Sequence, residues 1–260
     1  MGRFAIILAC VLAAGTLAGC SGEAEPGQTV KRPAYECAET QFTAPAAGDT
    51  IAVFQTSAGE VRTVLYPELA PMAVDNFVGL ADQGYFDGLE FHRVIWGFAV
   101  QSGDATGTGL GGSTIWNGNP FPAEYTDRLH HYAGALCAAC SPDESPSTLS
   151  QFYFVQALPD SVSGADKQAL LDAGVRQEVA DAYGAVGGLP YLDNTDTVFG
   201  QVYEGMEVVD AIAGAETDEN GKPLEPVILE RVIIGVYGEE LPAASSASSS
   251  DSAASDSDAA

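Results

Sequence analysis

Between residues 49 and 239 the chain breaks into short β-branched and aromatic runs, separated by glycine and polar turn residues. This punctuation limits what the chain can fold into. Ile51–Thr56 and Val61–Tyr66 flank Ser57-Ala58-Gly59, a hairpin signature. Leu89–Ile95, Phe98–Gln101, Tyr132–Cys140, Gln151–Gln156, Thr197–Val202 and the strongly apolar Val227–Val236 read as further strands. Helical spacing interrupts this series twice. Pro71 suits the first position of a helix, Val74, Phe77, Val78 and Ala81 follow three or four residues apart, and Gly84 stands where the chain should leave it. Met206–Ala213 reads as a second, shorter helix. Strands and helices do not alternate, which argues against a doubly wound parallel sheet and for an antiparallel barrel.

Residues 157–190 depart from the pattern. Ser163 and Asp166 have the spacing of a capping box, and Leu171, Val175, Val179 and Tyr183 recur every fourth residue around Gly174. The expectation is a helical insertion packed on the barrel. Residues 20–48, rich in Gly, Ala, Pro and Glu, read as a flexible tether. Residues 240–260 form a Ser/Ala/Asp tail too polar and too simple to build a core. One globular domain, residues 49–239, is therefore expected.

The first 19 residues carry an address. Arg3 precedes an apolar run, Phe4 to Leu17, that is shorter than the roughly 20 residues a bilayer span needs. It leads into Leu17-Ala18-Gly19-Cys20, which resembles the lipobox of bacterial lipoproteins. The resemblance implies cleavage before Cys20, lipidation of its thiol, and an extracytoplasmic protein anchored to the bacterial cell membrane only by acyl chains. The formal net charge of −26 repels phosphate backbones and excludes nucleic acid as a partner. Cysteines at 10, 20, 37, 137 and 140 are too few and scattered for a disulfide scaffold. Cys137-Ala-Ala-Cys140 invites a redox reading. In a regular strand, however, the two residues face opposite sides about 10 Å apart, beyond the roughly 7 Å a disulfide tolerates. Bridging would need a bend at Ala139 or Cys140.

The segment Phe91-His92-Arg93-Val94-Ile95-Trp96-Gly97-Phe98-Ala99-Val100-Gln101-Ser102-Gly103-Asp104 carries the chemistry. Four stretches follow it in order: Gly107–Gly112, Ser150-Gln151-Phe152-Tyr153-Phe154, Tyr191-Leu192-Asp193 with Val198-Phe199-Gly200, and Gly205-Met206-Glu207-Val208-Val209. Together these blocks resemble the cyclophilin-type peptidyl-prolyl isomerases. The resemblance spans about residues 50–238. It implies a mainly β fold, a closed eight-stranded antiparallel barrel with two flanking helices, here carrying the extra helical insertion, and a groove on the outer face that binds proline-containing polypeptides. Isomerisation about an amide needs no cofactor or metal, and none is expected. A monomer is expected.

By the same resemblance, Arg93 hydrogen-bonds the prolyl region, Gln101 and Gln151 orient Arg93 and the peptide, and Phe98, Tyr153 and Leu192 wall the proline pocket. Arg93, Gln101 and Phe98 are thus the candidate catalytic residues. Ala99, Ala139, Cys140, Gln151, Tyr153, Leu192 and Asp196 are the candidate substrate-binding ones. His92, next to Arg93 in a strand, must point to the other face and reads as structural. Several positions depart from the family pattern. Ala99 and Ala138 replace methionines, Cys140 an asparagine, Tyr191 a tryptophan and Asp196 a histidine, and the Ser141–Leu149 loop is longer than usual. These departures leave a second reading open, a cyclophilin-like binding module with little catalysis. A thiol redox protein is a third, dismissed if the cysteines lack a depressed pKa.

Overall fold

A computed structural model describes residues 25–141 and 147–241. The leader, Cys20, residues 142–146 and the tail from 242 onward lie outside the described residues. In chain order the elements are β1 (Thr50–Thr56), β2 (Gly59–Leu65), α1 (Pro71–Asp82), β3 (Leu89–Glu90), β4 (Arg93–Ile95), β5 (Ala99–Ser102) and β6 (Phe121–Pro122). Then come β7 (Ala135–Ser141), β8 (Ser147–Val155), α2 (Gly164–Asp172), α3 (Gln177–Val186), β9 (Thr197–Glu204), α4 (Met206–Ala213) and β10 (Ile228–Val236). α1 begins with Pro71 at its N-terminus and runs to Asp82; Gly84, at φ +69°, takes the left-handed conformation that lets the chain leave it.

The strands form one antiparallel sheet in the order β3-β10-β1-β2-β9-β7-β8-β5-β4, with β6 paired to β8. It curls, but its ladder does not close as the expected eight-stranded barrel would. The path ends at β3 and β4, which only Phe91 and His92 separate in sequence, and among the described residues no ladder joins them. The run Leu89–Ile95 is two short strands because its backbone is diverted. The Phe91 amide donates to the Val227 carbonyl at 2.9 Å and that of Val94 to Gly221 at 2.7 Å, both in the segment before β10.

Alternation along the strands sorts the apolar side chains into two layers. Val94, Val100, Leu136, Phe152 and Phe154 face inward and meet Ala52, Phe54 and Phe199 under α1. Phe77 of α1 sits at the centre of this core, with ring centroids 5.6 Å from Phe54, 5.1 Å from Phe86, 5.6 Å from Phe152 and 5.3 Å from Phe199. The intervening residues Ala99, Cys137, Tyr153 and Val155 face outward, yet they too are buried, in a second cluster with Leu129, Leu189 and Val198.

The insertion is helical as expected, and takes the form of a helix pair; Val175, Val179 and Tyr183 of the expected face pack, with Leu170 in place of Leu171. The Ser163–Asp166 capping box is present, Gly174 lies between the helices at φ +87°, and Val179 and Tyr183 are buried. Its apolar face packs on Tyr132 and on Tyr35 and Phe42 of the preceding segment. That segment differs from the expected tether. Arg32 pairs with Asp210 of α4 at 2.6 Å and Glu39 with Arg176 at 2.5 and 2.8 Å. Gln41, 6% exposed, accepts from the His130 amide at 2.6 Å and donates to the His130 carbonyl and to Gln201. From Arg32 onward the chain is therefore docked on the domain, held by individual polar and aromatic side chains that leave no periodic trace in the sequence.

Candidate active site

β4 and β5 form a hairpin that places Arg93 directly opposite Gln101. Its turn is fixed from beneath. The Gly97 amide donates to the buried Gln156 side chain at 2.6 Å, and the Gln156 amide donates to the Phe98 carbonyl at 3.0 Å. Phe98 is thereby held against Arg93, with the guanidinium carbon 5.3 Å from the ring centroid. Arg93 Nη1 donates to Gln101 Oε1 at 3.3 Å, Gln101 Nε2 to Gln151 Oε1 at 2.8 Å, and Gln151 Nε2 to the carbonyls of Gly109 and Gly111 at 3.0 and 2.7 Å. Each amide is oriented by the next, and the half-buried guanidinium keeps most of its donor fork. Among the described residues Arg93 forms no ion pair.

The chain of amides ends on a loop organised by Asp104. Its carboxylate accepts from the Thr106 hydroxyl and from the amides of Thr106, Thr108, Gly109 and Gly111. Burial opposes ionisation, but these donors outweigh it and hold the carboxyl down at about 2. Gly111 approaches so closely that a Cβ there would lie 2.2 Å from Asp104 Oδ1. Asp104 closes the Phe91–Asp104 segment; its role follows from its spacing to Thr106, Thr108 and two glycines, a local signal not used in the sequence reading. His92 lies between β3 and β4, outside the strand it was expected to occupy; it is buried, and burial lowers its pKa.

Beside the polar chain lies the outer apolar cluster, where Ala99, Tyr153, Ala139, Leu192 and Phe98 come together. Gln101 pairs with Tyr153, and Tyr153 with Cys137, so one row crosses from β4 to β7. The Tyr153 hydroxyl donates to Asp196 Oδ2 at 2.7 Å, and burial drives the phenol far above its usual value. Burial also raises Asp196, against hydrogen bonds from Tyr153 and the Cys140 amide. β7 carries a register shift between Ala138 and Cys140, which is the bend that the Cys-Ala-Ala-Cys spacing allowed. No disulfide joins Cys137 and Cys140. Burial raises both thiols, the reverse of what redox chemistry needs. Tyr191 is exposed at the rim.

The structure thus gathers Arg93, Phe98, Gln101 and Gln151 by direct contact, and Ala99, Ala139, Tyr153 and Leu192 in the adjoining cluster. Asp196 and Cys140 sit at its edge. Gln156 and His131, which brace this surface, carry no local signal in the sequence, because their partners lie dozens of residues away; Asp193 lies in a block that resembles the family, but its bracing role does not show there.

The family described as cyclophilin type peptidyl-prolyl cis-trans isomerase/CLD matches residues 51–234. A Staphylococcus aureus (strain USA300) protein named as a peptidyl-prolyl cis-trans isomerase is 39% identical over 188 residues, covering 71% of this chain and 91% of that protein. A Streptococcus pyogenes serotype M6 protein, named as a bifunctional phosphatase/peptidyl-prolyl cis-trans isomerase, is 43% identical over 181 residues, or 68% of this chain. The match spans only 37% of that longer protein. Among solved structures, a cyclophilin type isomerase of Cryptosporidium parvum, crystallised in the presence of the dipeptide Ala-Pro, is similar with a TM-score of 0.57 and 25% identity. That likeness covers 71% of this chain and 98% of the other.

Proposed function

This chain belongs to the cyclophilin-type peptidyl-prolyl cis-trans isomerase family, and from that premise we propose that it isomerises X–Pro bonds of exported polypeptides in the groove on the outer face of β4, β5, β8 and β7. The observation that carries this is the Arg93–Gln101–Gln151 chain beside the apolar cluster of Phe98, Ala99, Tyr153 and Leu192. Rotation about an X–Pro bond meets a barrier of about 18–20 kcal/mol because the amide loses its resonance as it twists. The apolar cluster holds the prolyl ring while the preceding carbonyl turns. Arg93 donates toward the prolyl nitrogen as its lone pair localises, a bond stronger in the twisted state than in the planar one. Gln101 fixes the guanidinium, Gln151 fixes Gln101 and faces the peptide, and Ala139 and Cys140 present bulged backbone to it. The dipeptide used with the Cryptosporidium relative supports a proline-containing ligand of this kind.

The test is the isomerisation rate of a short X–Pro peptide with wild type and Arg93→Ala. A wild-type rate no better than the spontaneous one would leave a binding module. Equal acceleration by both proteins would remove Arg93 from the mechanism.

The location rests on residues 1–20: an apolar leader followed by Leu17-Ala18-Gly19-Cys20 supports export, lipidation of Cys20 and action at the outer face of the membrane. Among the described residues no helix is long and apolar enough to cross a membrane. Cys20→Ser should therefore release the protein from the membrane fraction; retention after a salt wash would overturn the anchor.

A further inference from the structure

The helical insertion reaches the groove through one half-buried carboxylate. Asp193 follows the 3-10 turn Pro190–Leu192, and four donors converge on it. His130 Nδ1 and His131 Nδ1 each lie 2.9 Å away, the His131 amide donates at 3.1 Å, and the Tyr183 hydroxyl lies 2.9 Å from both oxygens. Tyr183 belongs to α3, is fully buried, and its hydroxyl also accepts from the His131 amide at 3.0 Å. Burial opposes the charge on Asp193, but the two histidines hold its carboxyl well below the usual range.

The segment pinned in this way carries two groove residues. Leu192, immediately before Asp193, is closed into its turn by a 2.9 Å bond from its amide to the Leu189 carbonyl. The amides of Thr195 and Asp196 then donate back to the Leu192 carbonyl at 2.9 and 3.3 Å. Leu192 packs in the outer cluster with Ala99 and Tyr153, and Asp196 holds the Tyr153 hydroxyl. Other bonds tie the end of the insertion to the strip 131–133, from the Leu189 amide to the His131 carbonyl and from the Ala133 amide to the Gly187 carbonyl. Those are backbone bonds, indifferent to side chains. Tyr183 is where an α3 side chain enters the Asp193 network directly.

We propose that Tyr183 is a positioning residue for the proline pocket: through Asp193 the insertion sets the seat of Leu192 and Asp196, and so tunes how tightly the groove grips its peptide. This rests on the reading that Leu192 walls the pocket. Arg93 and its amide chain share no contact with Tyr183, so the effect should fall on binding and not on the chemical step.

The experiment measures KM and kcat for a short X–Pro peptide with wild type, Tyr183→Phe, Leu192→Ala and the double variant. Tyr132→Phe serves as control, since the Tyr132 hydroxyl is buried without a partner among the described residues. Tyr183→Phe should raise KM about fivefold and leave kcat within about twofold. Once Leu192 is gone, Tyr183→Phe should add nothing, because both changes act on the same seat. Asp193→Asn, which keeps the shape but removes the charge, should shift KM in the same direction, and Tyr132→Phe should match wild type. A wild-type KM in Tyr183→Phe, or effects that multiply in the double variant, would overturn the proposal while Leu192→Ala still weakens binding. A wild-type KM in Leu192→Ala would overturn the pocket assignment, and this proposal with it.

Discussion

Arg93 and Gln101 face each other across the β4–β5 ladder, with Nη1 3.3 Å from Oε1, and Gln101 passes the constraint to Gln151 at 2.8 Å. The guanidinium is thus oriented by a neutral amide and not by a carboxylate. A carboxylate would have tied up two of its donors; an amide oxygen holds one and leaves the rest of the fork for a substrate.

On the proposed mechanism, Arg93→Ala removes a charge-assisted donor used mainly in the twisted state. Such a bond is worth about 1.5–3 kcal/mol, and about 1.4 kcal/mol is tenfold in rate. The expected loss in kcat/KM is therefore roughly ten- to a hundredfold, with little change in the thermal midpoint. Arg93→Lys should recover little of it, because a point charge does not reproduce a planar fork. Rates for an X–Pro peptide, beside circular dichroism, check both statements.

Asp104 should make the domain acid-sensitive. Its folded-state value, about 2, lies below that of an unfolded aspartate. The stability it contributes is present above about pH 4 and is lost as pH falls towards 2. Asp104→Asn should lower stability at pH 7 by about 2 kcal/mol, since an amide cannot accept from so many N–H groups and places its own donor among them. The same variant should show a shallower loss between pH 4 and 2. Urea titrations at several pH values measure this, and parallel wild-type and mutant curves would remove Asp104 as the cause.

Much of the site was legible because its determinants are local. Arg93, Phe98 and Gln101 lie within nine positions on one hairpin, and alternation puts Arg93, Gln101 and Ala99 on one face. The β1–β2 hairpin, α1, α4 and the Ser163–Asp166 box were legible for the same reason: turn chemistry and periodicity act over a few residues. Where distant groups decide, the sequence was silent. The break between β3 and β4 depends on carbonyls at 221 and 227, and the seat of Leu192 depends on histidines more than 60 positions away. Gln41 gives the same lesson at the N-terminus, where composition suggested a tether.

Gln41→Ala distinguishes a docked segment from a tether. The side chain is buried and its amide is bonded on both ends to His130 and Gln201, so its removal leaves the His130 amide and carbonyl short of partners. A loss of about 1–3 kcal/mol is expected. A free tether would show none, and denaturant unfolding of the two proteins decides.

Asp196 should give the groove a preference among clients. It stands at the edge of the outer cluster, bonded to Tyr153, where a negative charge acts on whatever residue flanks the bound proline. At separations of about 6 Å and intermediate dielectric, one such charge is worth about 1 kcal/mol, or roughly fivefold for each sign of partner. X–Pro peptides with lysine beside proline should therefore be turned over faster than those with glutamate. The preference should weaken in high salt. Burial raises the Asp196 carboxyl, so it takes up its proton at a higher pH than a solvent-exposed aspartate, and the preference should fade as pH falls through that value. Asp196→Asn keeps an acceptor for the Tyr153 hydroxyl and removes the charge; it should flatten the lysine-to-glutamate ratio at neutral pH without lowering turnover of an uncharged peptide. An unchanged ratio would assign the preference to the acidic surface as a whole, and neutralising remote acids would then be the change that moves it.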